Sequence, residues 1–338
     1  MALGTKVDLP RSYGFLLMPG FSMLAFCSAI EPLRLANQLL GQRFYQWCVF
    51  TADGQPAKAS CGMSIPADCG PEAVGVPQCV FVIAGFDPWP QEDKRLKNWL
   101  RSLDRRGVTL AAVDTGSFLL ASAGLLGETV TALHWESAAA FSELFPEIPL
   151  SAALYEISER RFLCAGGAAV LDMMLEIIAR THGPGLRTAI AERLFYRPTR
   201  AGDRSQRVAL QERLELSDSH VLQAISIMEA NIEQPLSIGA LCHALAVSKR
   251  TLERKFLHAV ARTPKEYYLE VRLDHARKLL RHTDLKVREI ALACGFSSMS
   301  YFSRAYKRTF SINPGKDRRL DYGLVTMGPG QTSAERTA

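Results

Sequence analysis

Two stretches in the last third of the chain echo each other, and they constrain the fold more than any other feature. The first is LCHALAVSKRTLERKF (Leu241–Phe256) and the second is IALACGFSSMSYFSRAYKRTF (Ile290–Phe310). Leu241 aligns with Ile290, Ala244 with Ala293, Val247 with Phe296 and Ser248 with Ser297, all 49 residues apart. Past a one-residue insertion, Leu252 aligns with Phe302, Arg254 with Arg304 and Phe256 with Tyr306, now 50 apart. Each unit reads as a short helix, a turn at Ala246 or Gly295, and a second helix N-capped by Ser248 or Ser297. Leu252 and Phe256, like Phe302 and Tyr306, stand four apart on a helix and therefore face inward together. That leaves Lys249, Arg250, Glu253 and Arg254 outward on one helix. On the other, Met299, Ser300, Ser303 and Arg304 face out, with Ser298 at its start. The exposed first turn of such a second helix is where helix-turn-helix proteins meet base edges. Between the units, PKEYYLEVRLDHARKLLRH reads as a helix long enough to set the two readers about one DNA turn apart on one duplex face.

The charge is placed to match. The chain of 338 residues carries a net charge of +6, yet Asp218–Leu320 alone holds 18 Lys and Arg against 10 Asp and Glu. All of the positive excess is in that third, which points to a polyanion partner for that part only. A generic basic helical bundle with solvated charge is the bland alternative. Two patterns in register, with capping serines and a separate spacer helix, favour double-stranded promoter DNA instead.

These residues carry a family likeness. Val221–Leu320 resembles the AraC-type DNA-binding domain over its whole length. The likeness lies in LAVSKRTLERKF, in Pro264, Arg272, Leu273, Ala276 and Leu279–Leu280, in IALACGFSSMSYFSRAYKRTF, and in the closing INPGKDRR. It implies that Arg250, Arg254, Met299, Ser300, Ser303 and Arg304 occupy base- or backbone-contacting positions.

The first half has a different rhythm. The runs YGFLLM, YQWCVFTA, CVFVIAGF, VTLAAV, TVTALHW and RFLCAGG read as strands. Between them lie the helical patterns AFCSAIEPLRLANQLL, EDKRLKNWLRSLDRRG and AAVLDMMLEIIARTHG. Such alternation predicts an α/β doubly wound parallel sheet with helices on both faces, followed by an all-α C-terminal domain with two helix-turn-helix units. The expected boundaries are a ligand-sensing domain over 10–197, a linker over 198–217, the DNA-binding domain over 218–320 and a disordered tail over 321–338. The eight cysteines form no CxxC pair and no metal-ligand spacing with histidine, which predicts reduced thiols in the cytoplasm and no metal or other cofactor. The sequence shows neither a signal-peptide layout nor an apolar run near the ~18 residues a membrane span needs.

In AAVDTGSFLLASAGLL (Ala111–Leu126) an apolar strand turns sharply into a helix at Asp114. Asp114 is expected as a helix N-cap. A sharper reading makes the helix start at Thr115 and Gly116 a cradle for a ligand carboxylate, with Asp114 or Glu136 facing the ligand's cation. His134 and Glu136, two apart, point to opposite faces if that stretch is strand. Trp135, and Trp47 after it, are candidates to lie against an ammonium group. The glycines of CAGG (Cys164–Gly167) either allow close strand–helix packing or let backbone approach a ligand. Glu31 and Asn37 are a surface charge and its neighbour, or line a pocket or dimer interface.

The N-terminal ~195 residues resemble the class I glutamine amidotransferase-like fold (PfpI superfamily) as found fused to AraC-type domains. LLMPGFSMLAFCSAIEPLRLAN, GLLGETVTALHWE and FLCAGGAAVLDMMLEII carry that likeness. Catalytic relatives have Cys at the elbow, often followed by His; here Asp114 and Thr115 stand there, so the resemblance implies a sensor and not an enzyme. DTG together with HWE is similar to the subgroup sensing arginine, glycine betaine, carnitine and related compounds, which implies a small cationic or zwitterionic amine. The expected protein is a ligand-responsive regulator, an activator of an amino-acid or quaternary-amine catabolic operon. It would act as a homodimer that recruits RNA polymerase. A DNA-tethered enzyme, or a constitutive DNA-binding protein with a merely dimerising N-terminal domain, are the alternatives.

Overall fold

The computed structural model describes residues 11–73, 75–85, 93–196, 206, 218–283 and 285–318. The expected linker and tail fall, apart from Gln206, outside the described residues. The described residues divide into two compact units. One takes in residues up to Leu133 and the Ala153–Asp203 segment; the other groups His134–Ala152 with Arg204–Leu320.

In the first unit the apolar runs form one sheet. Its strands are β1 (Ser12–Leu17), β2 (Gln46–Phe50), β3 (Cys79–Ile83), β4 (Thr109–Val113), β5 (Tyr155–Ile157) and β6 (Arg161–Cys164). They lie in the order β2-β1-β3-β4-β6-β5. All neighbours pair parallel except β5, which runs antiparallel to β6. Every residue of β3 and β4 is buried. That explains why their sequences are unbroken apolar runs and not alternating ones: helices cover both faces of a central parallel strand. The expected α/β fold is therefore present, with an antiparallel edge strand that the sequence had not announced.

The helices of this unit are α1 (Met23–Leu40), α2 (Lys94–Arg105), α3 (Gly116–Ser122), α5 (Ala169–His182) and α6 (Pro184–Arg193); α4 (Ala138–Leu144) belongs to the other unit. Helix α1 starts where Ser22 accepts the Ala25 N–H at 3.3 Å and ends at Gly41 in the left-handed region. In α2, Leu96, Leu100 and Leu103 are its buried residues, one stripe of an otherwise charged helix.

The second unit continues with α7 (Ser219–Ala230), α8 (Ile238–Ala244), α9 (Lys249–Val260), α10 (Pro264–His282), α11 (Val287–Ala293), α12 (Met299–Phe310) and α13 (Pro314–Asp317). Nearly every start carries a cap: Asp218 for α7, Ser237 for α8, Ser248 for α9, and a reciprocal Thr263–Glu266 box for α10. Asp317, in the closing INPGKDRR, is fully buried. Its Oδ2 accepts from Tyr306 Oη at 2.6 Å and from Arg277 Nε at 2.8 Å, while Arg281 lies 3.7 Å from Oδ1. One carboxylate thus ties α13 to α10 and α12. Asp317→Ala would leave the half-buried Arg277 guanidinium and the buried Tyr306 hydroxyl without their acceptor, a change that costs about 1–3 kcal/mol. The expected result is a lower denaturation midpoint for the helical unit with the α/β transition unmoved; equal loss in both transitions would contradict it.

Candidate nucleic-acid interface and elbow

The two readers form as the repeat predicts. Leu252, Phe256, Phe302 and Tyr306 are all fully buried, and the turns at Ala246 and Gly295 both take positive φ, 52° and 72°. Lys249, Arg250 and Arg254 are exposed on α9, with Glu253 half-buried and 3.9 Å from Lys249. On α12, Met299, Ser300 and Arg304 are exposed and Ser303 is half-buried. One detail differs from expectation. The second reader is capped by Ser298, whose hydroxyl accepts the Tyr301 N–H at 3.3 Å, and not by Ser297. The extra residue lies in the turn itself, between Gly295 and the cap, so Ser298 is the counterpart of Ser248.

Arg272 on α10 fastens the second reader. Its Nε donates to the Cys294 carbonyl at 2.8 Å and its terminal nitrogen to the Gly295 carbonyl at 2.7 Å. Its guanidinium lies 4.0 Å from the Phe296 ring centroid. A β-carbon at Gly295 would come within 2.8 Å of the Ile232 and Glu233 carbonyls, and φ there is 72°. Only glycine fits that place without strain. The turn of the second reader is thus seated on the loop that leads into the first. Sequence spacing could not expose this, because both groups held by Arg272 are main-chain atoms.

In the first unit, the elbow lies beyond the carboxyl end of β4. Asp114 has φ 54° and is 5% exposed, and its N–H donates to the Cys164 carbonyl at 3.2 Å. It is not the N-cap expected of it. Thr115 occupies that position without a side-chain capping bond, since its hydroxyl donates to the Gly85 carbonyl at 2.7 Å. The reason is the left-handed backbone at residue 114, which starts the helix one residue later. Helix α3 has only seven residues, and a β-carbon at Gly116 would lie 2.5 Å from the Val82 carbonyl oxygen. Thr115 and Gly116 therefore serve close packing against the end of β3. Gly166, at φ 103°, lies so near the elbow that a β-carbon there would overlap the Asp114 carboxylate. The glycine of CAGG makes room for Asp114, a dependence between distant residues that neither motif shows alone. Burial pushes the Asp114 carboxyl from its ordinary 3.8 up to about 7.

The remaining candidates fall elsewhere. Thr131–Ala132 is strand, but His134–Trp135–Glu136 belongs to the second unit and the chain there has entered a turn. The turn brings His134 and Glu136 together, against the expectation of opposite faces: Glu136 N–H donates to His134 Nδ1 at 3.4 Å, and Glu136 Oε2 is 3.9 Å from it. Trp135 carries the Lys278 ammonium over its ring at 4.5 Å. Trp47 packs against the sheet core. Asn37 is structural, its amide clasping both main-chain groups of Tyr45 at 2.7 Å, and Glu31 pairs with Arg34 on the surface at 2.7 Å.

Two helix-turn-helix readers on one rigid spacer, in a chain that also carries a doubly wound α/β unit, define a DNA-binding transcriptional regulator. Residues 241–320 match the family described as Helix-turn-helix domain. The HTH-type transcriptional regulator CdhR of Pseudomonas aeruginosa is 43% identical over 312 residues, 92% of this chain and 93% of that one. GbdR of the same species is 39% identical over 310 residues, 92% of this chain and 84% of the relative. An AraC family transcriptional regulator from Pseudomonas putida superposes with TM-score 0.51 at 25% identity, covering 55% of this chain and all of that structure. The chain belongs to the HTH-type transcriptional regulators of the AraC family.

The raised Asp114 pKa makes stability depend on pH in a stated direction. The folded carboxyl holds its proton more tightly than the unfolded one, so its contribution is full below pH 3.8 and is lost as pH rises through about 7. Some three units correspond to on the order of 4 kcal/mol at full ionisation. Asn tolerates the left-handed backbone and stays neutral. Asp114→Asn should therefore raise the melting temperature at pH 8 and lose that advantage toward pH 4. Parallel pH profiles for the two proteins would show that the carboxyl is not the buried acid described.

Proposed function

We propose that this protein is a cytoplasmic, ligand-responsive activator that binds double-stranded promoter DNA as a homodimer and recruits RNA polymerase to an amino-acid or quaternary-amine catabolic operon. The single observation that carries the DNA half is the pair of outward helix starts held in one frame by α10 and Arg272. The contacting residues are Lys249, Arg250, Glu253 and Arg254 on the first reader and Ser298, Met299, Ser300, Ser303 and Arg304 on the second. Guanidinium groups at helix starts suit bidentate contacts to guanine, and the surrounding Lys and Arg suit phosphates.

The α/β unit senses and does not catalyse. Cysteine chemistry at such an elbow requires a thiolate beside a base, and neither Asp114 nor Thr115 has a thiol. What the elbow offers is a carboxyl with burial as its sole cause of perturbation, a group that a ligand cation would stabilise in its charged form. The ligand is a small cationic or zwitterionic amine, met by Asp114 with the adjoining backbone of Thr115 and Gly116. His134, Trp135 and Glu136 are separate candidates for an amine within the second unit's own turn.

Two measurements test this. Arg254→Ala and Arg304→Ala should each weaken operator binding by about 1–3 kcal/mol, and affinity should fall steeply with salt. Promoter binding that is insensitive to both substitutions and to salt would refute the double-reader interface. A thermal-shift screen of amines and amino-acid derivatives identifies the effector, and calorimetry then reads its chemistry. A cation arriving at a half-protonated Asp114 expels the proton, so the binding enthalpy near pH 7 should vary with the ionisation enthalpy of the buffer. That dependence should vanish in Asp114→Asn along with most of the affinity; unchanged affinity would move the ligand site away from the elbow.

A further inference from the structure

The helical unit holds a cavity of about 500 Å³ lined by parts of both readers. Its walls come from the segment Pro235–Ile238 that opens α8, from the first half of α10 and from one flank of α12. Much of the lining is apolar: Leu236, Ile238, Leu269 and the rings of Tyr268 and Tyr301. The Tyr268 hydroxyl is already engaged, donating to the Asn231 carbonyl and accepting the Leu236 N–H at 3.3 Å. The charge is cationic. Lys265, Arg272 and Arg308 all line the cavity, and among the described residues none of the three has an ion-pair partner. Arg272 meets two carbonyls and the Phe296 ring, but no carboxylate. The acid on the lining is Glu266, and its carboxylate is held in the α10 capping box, accepting the Thr263 N–H at 2.9 Å and the Thr263 hydroxyl at 2.8 Å. Three cations therefore face this space with one carboxylate that is committed elsewhere.

Small-molecule sites are typically cavities of roughly 300–1,000 Å³ with apolar walls and a few placed polar groups. We infer that this cavity binds a small organic carboxylate with an apolar body. The carboxylate meets Lys265, Arg308 and Arg272, and the body rests among Leu236, Ile238, Leu269 and the two tyrosine rings. A planar guanidinium suits a carboxylate, which it can hold through two parallel hydrogen bonds. Burial lowers the Arg272 pKa, and an anion beside it would offset that loss. A DNA phosphodiester is the other anion that basic side chains could meet here, and two observations favour the small ligand. A sugar–phosphate chain gains little from walls of leucine, isoleucine and tyrosine. Tyr301 and Arg308 also lie roughly a quarter turn around α12 from Ser300, Ser303 and Arg304, so the cavity is beside the base-reading face and not on it. The site is distinct from the elbow in charge as well as in place: the buried acid of the α/β unit suits a cation, and this cavity suits an anion. Because α8, α10 and α12 each supply a wall, an occupant touches both readers and the helix that spaces them.

The probe is para-fluorobenzoate, titrated against the full chain at constant ionic strength and followed by its own fluorine resonance. A saturable shift is expected in the wild type, and para-fluorobenzyl alcohol, which has the same body without the charge, should bind far more weakly. Lys265 and Arg308 are both exposed, so replacing either one spares the packing of the helical unit. Lys265→Gln and Arg308→Gln should each raise the dissociation constant by roughly 3- to 10-fold, between the effect of an exposed ion pair and that of a charged hydrogen bond. Equal dissociation constants in the wild type and both variants, or no saturable shift in any of them, would overturn the proposal. So would displacement of the probe by an equal concentration of dimethyl phosphate, which would make the cavity a contact for the DNA backbone.

Discussion

The Arg272 guanidinium, laid on Phe296 and donating to two carbonyls of the second turn, is the contact on which the DNA-binding frame depends. A helix-turn-helix alone can choose its angle to the duplex. Two of them can cover successive turns of the groove only if their separation is fixed. The α10 helix of 19 residues sets the length, and Arg272 near its middle fixes the rotation of the second unit about that length. Charged hydrogen bonds to main-chain acceptors are stronger than neutral ones, and a turn closed at Gly295 leaves no side chain to intrude. Asp317 does the corresponding work at the far end, where Arg277 and Tyr306 converge on one buried carboxylate.

The α/β unit follows a different logic. Its central strands are held by burial on both faces, and the elbow lies at their carboxyl ends, where open α/β sheets place their ligands. Thr115 reaches the Gly85 carbonyl, Asp114 N–H reaches Cys164, and Gly166 yields space to the carboxylate. The elbow is thus over-determined by its neighbours, which is how a non-glycine residue persists at φ 54°.

Much of this was legible because it repeats or alternates. The 49- and 50-residue offsets located both readers and their buried aromatics, and unbroken apolar runs located the central strands. The errors have local causes. Ser297 and Ser298 are chemically equivalent cap candidates, and only the backbone of an enlarged turn decides between them. Asp114 reads as a cap because Asp is a good one; the left-handed turn that displaces the cap to Thr115 has no marker in the sequence when the residue is not glycine. His134 and Glu136 were separated by the assumption of a strand that ends at Ala132. Arg272, Gly166 and Asp317 were visible only as members of longer motifs, since their partners are carbonyls, a carboxylate or residues some forty positions away.

A buried carboxyl that sits near its midpoint at neutral pH is an expensive group to keep in a closely packed turn. An apolar residue of similar size would relieve the desolvation, and an asparagine would relieve the charge. Neither would respond to a cation. On the proposed reading that cost would matter, because a ligand with no differential interaction between two states cannot move an equilibrium. Asp114 exposed to water would bind an amine weakly at every pH, with the charge already satisfied by solvent. Held at about 7 by burial, it would convert the arrival of a positive charge, on the proposed reading, into the loss of a proton. The left-handed backbone at Asp114, held by Cys164, Gly85 and Gly166, keeps one carboxyl dry, and that dryness is what the proposed sensing reading uses.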